Sequence, residues 1–242
     1  MQNKRVTICA CISRTFVDRE KVAAIAVSLK MEGYDVSVEP DLCETIIRKA
    51  PEMHDIASGT IIACYPRAVR SCLDWMGLKN DRIFDIRNSS CEEILGGFDI
   101  SYDAESGGRS EEEEFAAEKN NMLGGLESFP AKTGADAWNP VIDKERCTDC
   151  GKCHDFCLFG VYTMENKRVK VTNPRNCKNN CPACARMCPN RAIIFPKYEK
   201  SPINGGLVDE EIFNPEEMNR MYRERLRMRL QQRKMNVPLW KK

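Results

Sequence analysis

From residue 5 to residue 95, short apolar runs alternate with amphipathic stretches. RVTICAC is apolar and rich in β-branched residues, so a strand is predicted there. In DREKVAAIAVSLKMEG the apolar positions Val22, Ile25, Ala26 and Leu29 share one helical face, Asp18 can cap the start and Gly33 the end. DVSVEP gives a second strand, and ETIIRKAPEMHDI a helical stretch that Pro51 should disturb. GTIIAC, bounded by Gly59 and Pro66, is a third strand, PRAVRSCLDWMG a helix, and DRIFDIR a fourth strand. Strands alternating with helices imply a parallel sheet with right-handed crossovers, an α/β domain over residues 1–100.

The pattern weakens over GGFDISYDAESGGRSEEEEFAAEKNNMLGGLESFPAKTGADAW, which holds paired glycines and an acidic run. Ser110 and Glu113 fit a capping box, predicting a helix near 111–123 whose acidic start is a solvated face. Residues 101–137 therefore read as a linker with one helix. VYTMENKRVKVTN reads as a hairpin turning at Glu165, Asn166 and Lys167. Val141 and Ile142, and Ala192 to Phe195, fit short strands on either side of it.

Between those strands lie two dense cysteine runs that look like a diverged duplication. The first is Cys147-x2-Cys150-x2-Cys153-x3-Cys157, the second Cys177-x3-Cys181-x2-Cys184-x3-Cys188-Pro189. Thiolates two or three residues apart can converge on one cubane from a tight loop, and the fourth cysteine of each run reaches the other cluster. The spacing thus predicts one [4Fe–4S] cluster on Cys147, Cys150, Cys153 and Cys188, and another on Cys157, Cys177, Cys181 and Cys184. Paired zinc knuckles are the competing reading, but triplet spacing with a trailing Cys-Pro favours iron and sulfur. Leu158 follows Cys157 where the motif usually has proline. At these residues the chain resembles bacterial-type dicluster ferredoxins over about 138–200, which implies an α+β ferredoxin-like domain and electron transfer.

Six cysteines remain. Cys9 and Cys11 close the first strand, Cys43 follows the second, Cys64 closes the third and Cys91 follows the fourth. The carboxyl ends of parallel strands share one edge, where ligands bind, so these thiols should gather there. Cys72, on the next helix, reads as core. The sequence Cys9-x-Cys11, then Asp41-Leu42-Cys43, then Ala63-Cys64-x-Pro66-Arg67, resembles the N-terminal domain of heterodisulfide reductase A-type subunits. The resemblance implies a third [4Fe–4S] cluster on Cys9, Cys11, Cys43 and Cys64, with Arg67 as a cationic neighbour. The residues themselves leave three readings open: a third cluster, a thiol–disulfide site, or core packing. No G-x-G-x-x-G follows any strand, so no flavin or nucleotide is expected.

Composition narrows the setting. Fourteen cysteines without an evident signal peptide point to a reducing, cytoplasmic chain, where such density means metal or redox work. A net charge of +1 names no polyanionic partner, and no stretch approaches the about 18 apolar residues of a membrane span. His54 reads as an ordinary helix residue and His154 as a solvated loop residue. In the tail, 201–242, Met218, Tyr222, Leu226 and Leu230 form a stripe among arginines. That helix suits docking on its own chain or on an acidic redox partner, with RNA third. The whole predicts an iron–sulfur electron-transfer protein or subunit, not itself catalytic. Its partner is expected to be a flavin- or metal-containing oxidoreductase of anaerobic metabolism, of heterodisulfide-reductase type. A thiol/disulfide oxidoreductase and an iron–sulfur nucleic-acid-binding protein are the alternatives.

Overall fold

A computed structural model describes residues 4–14, 16–100, 109–129 and 138–208, with Arg223 and Arg227 as isolated exposed helical positions. The Ser110 side chain of the expected capping box, most of the expected linker's remainder and the stripe of the tail lie outside the described residues. Among the described residues no helix is long and apolar enough to cross a membrane.

The first half is an α/β unit, as the alternation implied. Strands β1 (Arg5–Cys9), β2 (Asp35–Glu39), β3 (Thr60–Ala63) and β4 (Ile83–Asp85) form one sheet in the order β2-β1-β3-β4. All its pairings are parallel. Helix α1 (Arg19–Met31) begins where the Asp18 carboxylate accepts the Glu20 N–H at 3.0 Å, and the chain leaves it through Gly33 at φ +74°. Its wholly buried Val22, Ile25, Ala26 and Leu29 are the face read from the sequence.

Pro51 falls between two short helices, α2 (Leu42–Ile47) and α3 (Met53–Ser58). A proline ring cannot donate the helical hydrogen bond and disfavours helical geometry before it, so one continuous helix does not form. Helix α4 (Pro66–Met76) carries proline at its first turn, where an N–H would be spare, and stops at left-handed Gly77. The sequence pattern did not show α5 (Cys91–Gly96), which a Ser90–Glu93 capping box starts. Helix α6 (Arg109–Glu127) is longer than expected and packs on α1, as α5 does, while α2 packs on α4.

The second half is built from pieces too short to stand alone. Strand β5 (Val141–Ile142) pairs antiparallel with β8 (Ile193–Ile194), and β6 (Tyr162–Glu165) with β7 (Arg168–Val171). Asn166 and Lys167 both take positive φ at the hairpin turn. Two five-residue helices, α7 (Lys152–Phe156) and α8 (Ala183–Met187), follow the cysteine loops.

The halves share core. Val141 and Ile194 pack into the first half's cluster, and Trp75 of α4 touches the second half's cluster while its Nε1 donates to the Val171 carbonyl at 3.0 Å. The side-chain amide of wholly buried Asn204 donates to the Tyr65 hydroxyl at 3.0 Å. The segment expected as a linker does not set this arrangement by itself; a packed polar and apolar seam does.

Candidate iron–sulfur centre

The two loops place their thiols through backbone turns. Gly151, at φ +74°, turns the first run into α7, and Asp149, at φ +52°, precedes it. The Asp149 carboxylate accepts the Val169 N–H at 2.8 Å, tying the first loop to the hairpin. Cys157 and Cys188 each end the short helix after their loop, at the C-terminal caps of α7 and α8. Those helices pack on each other, so each last cysteine is carried towards the opposite loop.

The eight thiols divide into two groups. Cys147, Cys150, Cys153 and Cys188 line a small cavity of about 20 Å³. Cys157, Cys177, Cys181 and Cys184 line a second cavity of about 160 Å³, walled by Phe156, Val161 and Tyr162. Each group takes three cysteines from one run and the last from the other. Burial, reinforced by Cys188, pushes the Cys153 thiol up to about 12. Burial and Cys181 do the same at Cys177, also to about 12. Burial likewise raises Cys184, whose charged neighbours would be Cys177, Cys153 and Cys157, so the two groups adjoin.

Thiols so disfavoured as isolated anions need a cation to ionise. The donor set is soft sulfur throughout, suited to iron–sulfur chemistry. Among the described residues no three His, Cys, Asp or Glu side chains close around a single metal ion. A cubane, which has atoms of its own between its ligands, needs wider spacing than one ion. Polar groups stand near the thiols of the second cavity. The buried Trp138 indole N–H has no hydrogen-bond partner among the described residues and stands beside Cys177. The neighbouring Asn139 amide is also buried and unpartnered. The Tyr162 hydroxyl donates to Cys184 Sγ at 3.1 Å. The Tyr162 and Trp138 donors beside sulfur are of the kind that tune a bound cluster.

In the first half, five thiols gather at the carboxyl edge of the sheet: Cys9, Cys11, Cys43, Cys64 and Cys72, all buried. Strand order explains the place. The chain leaves β1 for one side of the sheet and β3 for the other, so their following loops part and open a crevice. Cys11, at φ +50°, and Cys64 stand side by side there, and Cys64 lowers the Cys11 thiol, helped by Lys197 and Arg14. Cys72 is core, as expected, and also stands beside Cys43, which raises its thiol, as burial does. Burial, with Cys11, Asp41 and Cys43 nearby, raises Cys9, whose sulfur accepts the Leu42 N–H at 3.4 Å. Cys91 stands apart, half-buried at the start of α5 among Lys21, Glu92 and Lys119. The fourth strand ends at the sheet's margin, away from the crevice between β1 and β3.

Arg67 does not serve as the cation of this pocket. Its guanidinium turns to the second half, donating to Asp143 at 2.6 Å, to the Pro202 carbonyl at 3.2 Å and to the Arg191 carbonyl. The buried cation beside Cys43 and Cys11 is Lys197, in the segment after β8, with Arg14 also near Cys11. The sequence carries no cue to Lys197, because a lysine in the polar stretch FPKYEK looks like surface.

These features define an iron–sulfur protein with a ferredoxin-type second half. A family model described as "4Fe-4S dicluster domain" matches residues 139–209. An uncharacterized ferredoxin of Methanocaldococcus jannaschii is 48% identical over 77 residues, covering 31% of this chain and 52% of that one. Ferredoxin-3 of a Nostoc species is 32% identical over 88 residues, covering 27% of this chain and 90% of the relative. The pyruvate synthase subunit PorD of Thermotoga maritima is 38% identical over 81 residues, covering 31% of this chain and 81% of the subunit. The chain belongs to the 4Fe-4S dicluster ferredoxins through this segment, and spans about half the length of the first of these relatives.

Proposed function

We propose that this chain is an electron-carrying protein or subunit with two [4Fe–4S] clusters in its second half. Cys147, Cys150, Cys153 and Cys188 would hold one, and Cys157, Cys177, Cys181 and Cys184 the other. The observation that carries this is the crossed grouping of the eight thiols around two adjoining cavities. Bound clusters supply one-electron storage at each site. The chain's own residues do the rest: Tyr162 donates to Cys184, Trp138 offers its N–H beside Cys177, and Val161 and Phe156 exclude water. Likeness to PorD supports work alongside an oxidoreductase complex, for which a flavin- or metal-containing partner of heterodisulfide-reductase type is our further reading. The abundant free thiols suit the reducing cytoplasm.

Single substitutions test the ligand sets. Cys150→Ser and Cys188→Ser should each remove the same electron paramagnetic resonance signal, with a loss of about four irons. Cys184→Ser should remove the other. If Cys188→Ser extinguished the Cys184 signal, the crossed assignment would fall.

For the first half we infer a third [4Fe–4S] cluster on Cys9, Cys11, Cys43 and Cys64. Convergence of thiols from separate loops at the sheet crevice, with an N–H on Cys9 sulfur and a cation nearby, supports it. A second reading is favoured by the neighbouring Cys11 and Cys64 thiols: a dithiol–disulfide site. Reducing one disulfide takes two electrons and two protons, which two one-electron centres and solvent would match.

A further inference from the structure

Lys197 is 2% exposed, and its ammonium has three buried partners. Nζ donates to Asp41 Oδ1 at 2.7 Å, to Asp41 Oδ2 at 2.6 Å and to Ser13 Oγ at 2.6 Å. The Ser13 hydroxyl also donates to Asp41. From the other side, Arg14 Nε donates to the Lys197 carbonyl at 3.1 Å.

Each partner belongs to a thiol-bearing loop. Ser13 and Arg14 follow Cys11, and the Arg14 N–H closes a turn on the Cys11 carbonyl at 3.0 Å. Asp41 caps α2, its carboxylate accepting the Glu44 N–H at 3.3 Å, and so fixes the turn that presents Cys43 and the Leu42 N–H bound to Cys9. One ammonium from the second half therefore clamps the loops that carry Cys11 and Cys43. A buried ion pair is a poor device for stability alone, since desolvation consumes most of its attraction. Beside a site that gathers negative charge, a fixed cation has a second use.

We propose that Lys197 is the charge-compensating, positioning residue of the sheet-edge thiol pocket, so that the pocket is complete only when the second half is docked. This rests on the reading of the pocket as a redox centre held by thiolates. Lys197 favours the more negative, reduced state of that centre, and Asp41 opposes it.

The test is an electrochemical titration of the full, anaerobically purified chain, following each centre by electron paramagnetic resonance. Lys197→Met should shift the pocket centre at least tenfold towards its oxidised state, 59 mV downward for one electron. Asp41→Asn, which keeps a capping side chain, should shift it upward. Lys197→Arg should restore most of the wild-type value, and the two other centres should move little. Loss of a merely mechanical clamp would push both variants the same way, so shifts of one sign, or none, overturn the proposal. If Lys197→Met does not load the pocket, the sign of the Asp41→Asn shift decides. A wild-type chain with two centres only would remove the pocket reading itself. A third centre indifferent to both substitutions would sink the role of Lys197 and leave that reading standing.

Discussion

Arg67 Nε donates to Asp143 Oδ2 at 2.6 Å, joining α4 of the sheet domain to the segment just before the first cysteine loop. The same guanidinium reaches the Arg191 carbonyl, just after the second loop. One side chain thus ties both ends of the ferredoxin-type half to the sheet. The Asp143 side chain is 8% exposed, so losing its partner would strand a buried carboxylate. Arg67→Met should cost about 3–5 kcal/mol, the range for breaking a buried pair. A urea titration following both halves would show it, and an unchanged midpoint would mean the seam is not energetically important.

Gly205 makes a second test of the seam. It holds φ +97°, and a Cβ there would stand 2.6 Å from that of Ala68 on α4. Gly205→Val should destabilise by about 2 kcal/mol or more, from backbone strain and overpacking together. Calorimetry should register this as a lower Tm; a Tm equal to wild type would show that the halves part at little cost.

Tyr162→Phe removes the hydroxyl that donates to Cys184 Sγ while keeping the ring. The sulfur's charge is then less compensated, and the potential of its centre should fall by about 20–60 mV. That is the equivalent of a hydrogen bond worth about 0.5–1.5 kcal/mol. The centre that includes Cys150 should hold its potential. A rise, or an equal fall at both centres, would contradict the placement of Tyr162.

The iron-free chain should be alkali-sensitive. Burial raises Cys153 and Cys177 to about 12 in the fold, whereas the unfolded chain ionises near the ordinary thiol value of 9.0. Protons held more tightly by the folded state mean stability that is intact below pH 9 and declines as pH rises towards about 12. Denaturant midpoints of the apo chain across that window should fall steadily. Loading with iron and sulfide should flatten the decline, because the ligand thiols are then already deprotonated.

Much of this was legible in the residue pattern, for reasons that differ by region. The alternation of VTIC, VAAIAVSL and TIIA reports directly on burial, and the four-stranded parallel sheet follows from it. Cysteine spacing fixes local loop geometry, so the sequence alone proposes a crossed grouping of the eight thiols, and the same groups line the two cavities. Cys91 lies away from its expected place because the sequence shows which loop a thiol is on, but not which strand lies at the sheet's margin. Arg67 and Lys197 were misread or missed for a related reason. Their partners, Asp143 and Asp41, lie 76 and 156 residues away, and no local pattern encodes a contact across a seam. Helix α5 is too short, at six residues, to show a period, and only its capping box could have signalled it.

Counting iron and acid-labile sulfide on the anaerobically purified full chain, beside its electron paramagnetic resonance spectrum after reduction, tests the central claim most directly. The account predicts about twelve irons and three reducible centres, four irons to each. About eight irons with two centres would leave the sheet-edge thiols to disulfide chemistry or packing. Four or fewer, with no coupled signal, would contradict the two crossed clusters on which the reading of this protein rests.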